Sequence, residues 1–339
     1  MIEWIYKSCK QPLFRQGGVT MTAMNSLSDI SQEMDKLSEQ SSVELDRESL
    51  FHYTSASALR KIMRQEGIVL RFTKYGFVND TSEGKIITDM YRTACEKLLR
   101  ENKITREFFI AISNLDICTE KHFFVPDNSG GGSLGKVVSD EYDAYICCFS
   151  TLGDSLPMWN YYIKDDAGAG YNIEMTGVLC NGLYRIDGMN RYNWGIYKIN
   201  YVDVNNDDEN IFYRWIQELS PYADNIETVR RILSHYMMRA QLMYKHYCFQ
   251  HEHEVRFVLY LPRHLTRNPE LKIDYTEKNG VIIPYIDILI PAKTIAKSIT
   301  VGALVHFDDA RDGIATLLSE RGYTMATNNI LPSHMPVRF

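Results

Sequence analysis

The chain has 339 residues, of which 45% are hydrophobic and 24% are charged, and these values are typical of a globular protein and argue against global disorder. A net charge of −6 argues against binding of nucleic acid through a broadly basic surface, because such binding depends on cationic contacts to phosphate. The seven cysteines include no CxxC pair, so neither a zinc knuckle nor a disulfide framework is indicated. Free thiols favour a reducing, cytoplasmic compartment. No apolar run reaches the roughly 18 residues of a membrane span, so we expect no membrane association.

Residues 1–47 differ from the rest of the chain. Within them, a stretch rich in Ser, Gln, Asp and Glu carries Ile30, Met34 and Leu37 at the spacing of one weak helical stripe. We therefore expect a tail or a short docking helix, and a helix of this kind offers a binding site for a regulatory partner. Residues 48–339 are expected to form a single α+β domain.

The first unit of this domain is predicted to be a strand, a short helix and a second strand. Residues 50–53 indicate the first strand, with His52 near its end. Ser55 is suited to the N-cap of the helix, and Gly67 to its C-terminal end. Residues 68–72 indicate the second strand. This order places His52 at the junction between a strand and a helix.

Further elements follow at irregular intervals. An apolar period of three to four residues predicts helices over 86–101 and 224–247, and Asp224 with Glu227 resembles a capping box at the start of the second helix. Strands are predicted at 145–149, 171–175, 197–204, 252–261, 281–290 and 298–301. Because there is no repeated βα unit, we expect an α+β fold with a mixed or antiparallel sheet and surrounding helices, and not a doubly wound sheet.

Two short motifs resemble known sites but lack a required residue. The glycine-rich segment that ends at Gly135-Lys136 has Val137 where a phosphate-binding loop needs Ser or Thr for magnesium. The segment that starts at His251-Glu252 has Val255 where a zinc protease needs its second histidine. We therefore expect no metal site in this chain.

The predicted strand over 252–261 carries charged residues at every second position. Its alternation puts Glu252, Glu254 and Arg256 on one face, and Val255 and the other apolar residues on the opposite face. Neighbours on one face lie about 7 Å apart, so Arg256 can pair with either glutamate and leave the other free. Without further evidence, this face is interpreted as solvated and carrying one ion pair.

Several short motifs follow one another in a distinctive order. They are Phe51-His52-Tyr53-Thr54, Asn79-Asp80 with Glu83, Cys148-Phe149-Ser150, Met158-Trp159 with Tyr161 and Tyr162, Gly170 before a strand, Lys245, Glu252-x-Glu254-x-Arg256 and Ile299-Thr300-Val301-Gly302. In order and spacing these motifs resemble a mainly bacterial family, domain of unknown function 2971, over roughly residues 50–305. The chain departs from that pattern at Ile163 and at Asp166-Ala167, where the family usually has a small residue and a histidine.

That family is in turn distantly similar to the ADP-ribosyltransferases, whose fold is a split sheet around a cleft for NAD. The resemblance implies that NAD is a substrate, that Glu252 or Glu254 supplies a catalytic carboxylate, and that His52 is catalytic. It also implies cofactor-binding roles for Tyr53, Thr54, Asn79, Trp159, Tyr161 and Arg256. In such a site a carboxylate stabilises the positive charge that develops on the ribose when nicotinamide leaves. An aromatic ring, from Trp159 or Tyr161, stacks on the nicotinamide.

Three functions remain open at this point. The first is an ADP-ribosyltransferase or NAD glycohydrolase, in the manner of a toxin or defence effector, whose acceptor is a protein, a nucleic acid or a small molecule. The second is a non-catalytic module of the same fold that binds a nucleotide or a partner. The third is a nucleic-acid-processing enzyme, which the acidic composition disfavours. A basic groove of Arg60, Lys61, Arg64, Arg71 and Lys74 would support the third function.

Overall fold

The computed structural model describes residues 27–40, 49–78, 83–115, 142–163, 169–176, 193–203, 210–262 and 271–336. Its helices are α1 (Leu27–Gln40), α2 (Ala56–Ile62), α3 (Glu83–Arg100), α4 (Arg106–Ser113), α5 (Leu156–Tyr162), α6 (Ile211–Leu219), α7 (Ile226–Met243) and α8 (Phe307–Glu320). Its strands are β1 (Leu50–Thr54), β2 (Met63–Arg64), β3 (Gly67–Lys74), β4 (Tyr142–Ser150), β5 (Tyr171–Met175), β6 (Asn193–Lys198), β7 (Asn200–Val202), β8 (Tyr244–His246), β9 (Glu254–Pro262), β10 (Ile273–Lys278), β11 (Val281–Ile290), β12 (Ala296–Val301) and β13 (Ile330–Pro332). A 3₁₀ helix, Tyr247–Glu252, links β8 to β9.

Eleven of the described strands form one mixed sheet, which confirms the predicted α+β class. Along its main path the strand order is β10-β11-β3-β4-β1-β5-β12-β13, while β2 pairs with β3 and β9 lies between β4 and β6. The pairs in this sheet are antiparallel except for β12 with β13. Strands β7 and β8 form a separate parallel pair. Among the described residues, no helix combines the length and the apolar composition that crossing a membrane requires.

The sheet divides into two arms along β4. Strand β9 pairs with β4 over its whole length, so the other two partners of β4 share its opposite edge. On that edge β3 pairs with Tyr145 and Ile146, whereas β1 pairs with Ser150. Between these two contacts no described strand pairs with residues 147–149 on this edge, so the two arms diverge there.

The apolar residues form two main clusters. One lies against the sheet and includes Phe72 and Phe257. The other joins the helices α1, α3, α4, α6 and α7. Helix α1 lies within the second cluster, because its Ile30 and Met34 side chains are buried there and its Glu33 pairs with Arg214 of α6 at 2.7 Å.

The opening unit follows the sequence prediction except at its glycine. Ser55 caps α2, since its hydroxyl accepts a hydrogen bond from the Ala58 amide at 3.2 Å. Contrary to the sequence prediction, Gly67 does not end the helix, because it is the first residue of β3 and has a φ of 148°. A Cβ at this position would lie 2.2 Å from the carbonyl oxygen of Ile290, so close approach of β11 requires a glycine here.

Two predictions at the other end of the domain are wrong in detail. Helix α7 begins after Asn225 and has no side-chain cap, so Asp224 and Glu227 do not form a capping box. The predicted strand over 252–261 begins only at Glu254, because Glu252 belongs to the 3₁₀ helix and His253 adopts a left-handed backbone with a φ of 44°.

Candidate functional site

Four charged side chains are buried together where β8, the 3₁₀ helix and β9 meet. The exposed fractions are 5% for Lys245, 4% for Glu252, 3% for Glu254 and 1% for Arg256. The Lys245 Nζ lies 2.6 Å from Oε2 of Glu252 and 3.2 Å from Oε2 of Glu254. Arg256 donates to both oxygens of Glu254, at 2.8 and 3.1 Å. We call these four residues the ion cluster, and its two positive and two negative charges balance.

The fold explains why this cluster is buried. Strand β9 lies between β4 and β6, and Arg256 is paired with Cys148 on one side and Tyr197 on the other. Glu254 and Arg256 share a face as neighbours two residues apart, as the alternation predicted. That face is buried, however, so its interpretation as a solvated surface is wrong. Glu252 reaches the same place from the 3₁₀ helix and not from the strand.

The two glutamates have different electrostatic surroundings. Burial alone would raise the pKa of Glu254, but the charges of Arg256 and Lys245 outweigh it and lower the pKa to about 2. Glu252 has only Lys245 as a hydrogen-bonded cation, so burial, together with repulsion from Glu254, raises its pKa. Among the described residues nothing donates a hydrogen bond to Oε1 of Glu252. Glu254 is thus an ionised anchor with both oxygens occupied, and Glu252 has one oxygen available.

His52 lies on β1, at the point where the two arms of the sheet diverge. Its Nδ1 is 3.0 Å from the carbonyl oxygen of Cys148, and its ring packs at 5.4 Å against that of Phe149. Because a carbonyl only accepts, Nδ1 carries the proton and Nε2 keeps its lone pair. Burial lowers the pKa of His52, so the ring is neutral at pH 7.

Cys148 joins His52 to the ion cluster. Its carbonyl accepts from His52, and its thiol donates a hydrogen bond to Glu254. Burial raises the pKa of this thiol well above its ordinary value, and the charge of Glu254 acts in the same direction. Cys148 is therefore a neutral hydrogen-bond donor here and not a nucleophile.

Tyr162 is an aromatic residue that the sequence analysis placed in a motif but to which it assigned no role in the site. Burial raises the pKa of its hydroxyl, and the charges of Glu254 and Glu252 raise it further, so this hydroxyl lies within electrostatic reach of both glutamates. The signal was present in the sequence, because Met158, Trp159 and Tyr162 are spaced to share one face of a helix. Tyr201 is a second missed residue, since its hydroxyl accepts from the Glu254 amide at 2.8 Å.

Trp159 and Tyr53 are buried beside the loop that follows β4, and Thr54, the last residue of β1, is also buried. The Trp159 Nε1 donates to Asp154 at 2.7 Å, and its ring packs edge-on against Tyr53 at 4.8 Å. The Tyr53 hydroxyl donates to the carbonyl of Leu152 and accepts from the Ser155 amide. These contacts hold the loop in place.

The same loop is tied to the 3₁₀ helix. Ser150 donates its hydroxyl to the Glu252 carbonyl at 2.7 Å, and the Thr151 amide donates to the His253 carbonyl at 3.0 Å. The backbone that directly follows the Glu252 side chain is therefore fixed to the end of β4 and the loop after it.

Tyr161 lies on the outer side of α5. Its side chain is among the exposed hydrophobic ones, at 48%, and its ring stacks on that of His251 at 5.0 Å with an angle of 22°. His251 directly precedes Glu252, so this pair forms an aromatic surface next to the ion cluster. Asn79, the remaining predicted binding residue, lies outside the described residues.

Two further observations bear on metal binding and on nucleic-acid binding. In the described part of the chain, no three His, Cys, Asp or Glu side chains are grouped so that they could hold a metal ion. In the basic set of five residues, Arg71 pairs with Asp287 at 2.9 Å and Lys74 with Asp143 at 2.8 Å. The charges that would attract phosphate are thus partly neutralised.

Comparison with known proteins gives no relative: no family model, curated protein or solved structure matches the chain.

Proposed function

We propose that the protein is an NAD-consuming enzyme, an ADP-ribosyltransferase or NAD glycohydrolase, in which Glu252 is the catalytic carboxylate. One observation carries the proposal: a chain of contacts runs from the split in the sheet to the ion cluster. His52 bonds the carbonyl of Cys148, whose thiol is hydrogen-bonded to Glu254. Lys245 then joins Glu254 to Glu252. The diverging arms of the sheet also support the resemblance to the ADP-ribosyltransferase fold. Buried free thiols such as Cys147 favour a reducing, cytoplasmic setting.

The geometry supports Glu252 over Glu254 for this role. When the bond between nicotinamide and ribose breaks, its electron pair leaves with the nicotinamide and the ribose becomes positively charged. A carboxylate with an unoccupied oxygen can stabilise this charge and can accept the proton that water or another acceptor loses when it attacks. Glu254 has both oxygens held by cations, and its lowered pKa makes it a poor proton acceptor.

The neighbouring residues take supporting roles in this proposal. His52 is neutral, and its unprotonated Nε2 is suited to accept a hydrogen bond from a ribose hydroxyl. The stacked rings of Tyr161 and His251 provide an aromatic surface on which a nicotinamide or adenine ring can stack. Arg256 orients Glu254, and Trp159 and Tyr53 support the loop beside the site.

The test is release of nicotinamide from NAD by the purified protein, measured by chromatography, with water alone and with protein, RNA and small-molecule acceptors. Glu252→Gln should lower the rate by about 100-fold or more, since it removes the charge that stabilises the transition state. Glu277→Gln, on the exposed edge strand β10, is the matched control and should leave the rate unchanged. Full activity of Glu252→Gln would refute the assignment, and so would a wild-type protein that neither cleaves nor binds NAD.

A second function is favoured by one observation, the burial of both carboxylates. Exposed fractions of 4% for Glu252 and 3% for Glu254 fit a module that binds a nucleotide without reacting. Calorimetry separates the two functions, because binding of NAD without release in the presence of any acceptor would favour this module.

A further inference from the structure

The two cations of the ion cluster have different partners. Arg256 is engaged with Glu254 through two parallel hydrogen bonds, which is the strongest geometry for such a pair. Lys245 makes its shortest contact, 2.6 Å, with Glu252 and a longer one, 3.2 Å, with Glu254. If Lys245 were removed, Glu254 would keep a bidentate cation, whereas Glu252 would be a buried carboxylate facing a second carboxylate.

We infer that Lys245 is the positioning residue of this site, which orients Glu252 by holding its Oε2 and keeps Glu252 ionised with Oε1 available. The inference deepens the proposed function and rests on it for the consequence that the rate of NAD cleavage should depend on Lys245. The effect of Lys245 on Glu252 itself can be measured without any substrate.

The remaining groups that face Glu252 do not replace this lysine. Glu254 repels the negative charge, and Arg256 attracts it from farther away while bonded to Glu254. Tyr162 of α5 and Tyr201 of β7 are neutral near pH 7, because burial raises the pKa of each hydroxyl. Lys245 is thus the one described cation that contacts Glu252 directly.

The position of Lys245 is fixed by the fold. It is in the middle of β8, immediately after α7, and its register partner across the parallel pair is Tyr201, the residue whose hydroxyl also bonds the Glu254 amide. Its ammonium lies 4.8 Å from the centre of the Phe249 ring, which stabilises a cation at this site. The lysine is therefore held from three sides, as a positioning role requires.

The experiment is a ¹³C NMR titration of the glutamate side-chain carboxyls in the full chain without substrate. Glu252→Gln identifies the Glu252 signal by its loss. In Lys245→Met the midpoint of this signal should move up by about one pH unit or more, because an attractive charge is removed. Lys245→Arg should restore it towards the wild-type midpoint, and Lys272→Met, at an exposed lysine, should not change it. An unchanged midpoint in Lys245→Met would overturn the inference.

If the Lys245→Met protein does not fold, a reciprocal measurement tests the same contact from the side of the lysine. In Glu252→Gln the Lys245 ammonium should lose its proton at a lower pH than in the wild type, and an unaltered lysine titration would contradict the inference. Failure of the proposed function gives a different result: Lys245→Met would still shift the Glu252 titration, but the wild-type protein would release no nicotinamide. If NAD is cleaved, the acidic limb of the pH–rate profile should move upward in Lys245→Met and return in Lys245→Arg.

Discussion

Replacing Glu254 by glutamine tests how strongly the ion cluster stabilises the fold. The substitution keeps the shape of the side chain but removes the charge that Arg256 contacts at 2.8 and 3.1 Å, and Arg256 itself is only 1% exposed. A buried pair that loses one partner costs about 3–5 kcal/mol, because the remaining charge stays desolvated. The pKa gives a similar figure: lowering from 4.5 to about 2, at about 1.4 kcal/mol for each pH unit, corresponds to about 3 kcal/mol.

The assay is urea unfolding at pH 7, followed by circular dichroism. Glu254→Gln should lower the free energy of unfolding by about 3 kcal/mol or more, while the exposed control Glu277→Gln should change it by less than about 0.5 kcal/mol. Adding Arg256→Met to Glu254→Gln should recover part of the loss, since the unpaired charge is then gone. A loss below about 1 kcal/mol in Glu254→Gln would refute the reasoning, because it would mean that water reaches the pair.

The same pair makes a prediction for acid pH. The folded-state pKa of Glu254 is lower than its ordinary value, so its contribution to stability is present above pH 4.5 and is lost as the pH falls towards 2. The wild type should therefore lose more stability than Glu254→Gln over this interval. Equal pH dependence of the two proteins in urea unfolding would contradict the assignment of the low pKa to Glu254.

Two further predictions concern the helices α1 and α7. Met34→Ala should lower the free energy of unfolding by about 2–5 kcal/mol and increase amide exchange in α1, because Met34 is 2% exposed. Ile110→Ala, at a 58% exposed residue of α4, is the control and should do neither. Normal protection of α1 amides in Met34→Ala would show that the helix does not depend on this contact. Burial lowers the pKa of His235 to about 4, so as the pH falls the unfolded chain is protonated at this histidine before the folded protein is. The free energy of unfolding should therefore fall by about 2 kcal/mol between pH 7 and pH 4.5. His235→Phe should remove this part of the acid sensitivity, and a variant as acid-sensitive as the wild type would contradict the burial of a neutral ring.

Local patterns in the sequence predicted those elements whose signals are local. The strand over Tyr171–Met175 has the predicted bounds, and Ser55 caps its helix as predicted, because strand composition and capping depend on a few adjacent residues. The predicted bounds of an element are wrong where the backbone departs from regular geometry. At His253 the left-handed conformation ends a 3₁₀ helix, and the alternation of Glu252, His253 and Glu254 cannot be distinguished from a strand in the sequence.

Burial of the ion cluster could not be predicted in the same way. A charged face is normally solvated, and it becomes buried only when partners neutralise it. For Glu252, in the 3₁₀ helix, the partner is Lys245, seven residues earlier in β8, and the sequence does not show that α7 ends just before β8. For a related reason the sequence does not show which aromatic residues of α5 face the site, since that depends on how the helix packs.

The split in the sheet explains why these residues meet. On the edge of β4 that β1 and β3 share, Cys148 lies between the two contacts, and its carbonyl accepts from the His52 side chain. On the opposite edge the same residue is paired with Arg256, which orients Glu254. A strand that paired continuously along the first edge would occupy the carbonyl of Cys148 and displace His52. The divergence of the two arms is thus what allows a histidine from β1 to bond the β4 residue that is paired with Arg256 of the ion cluster.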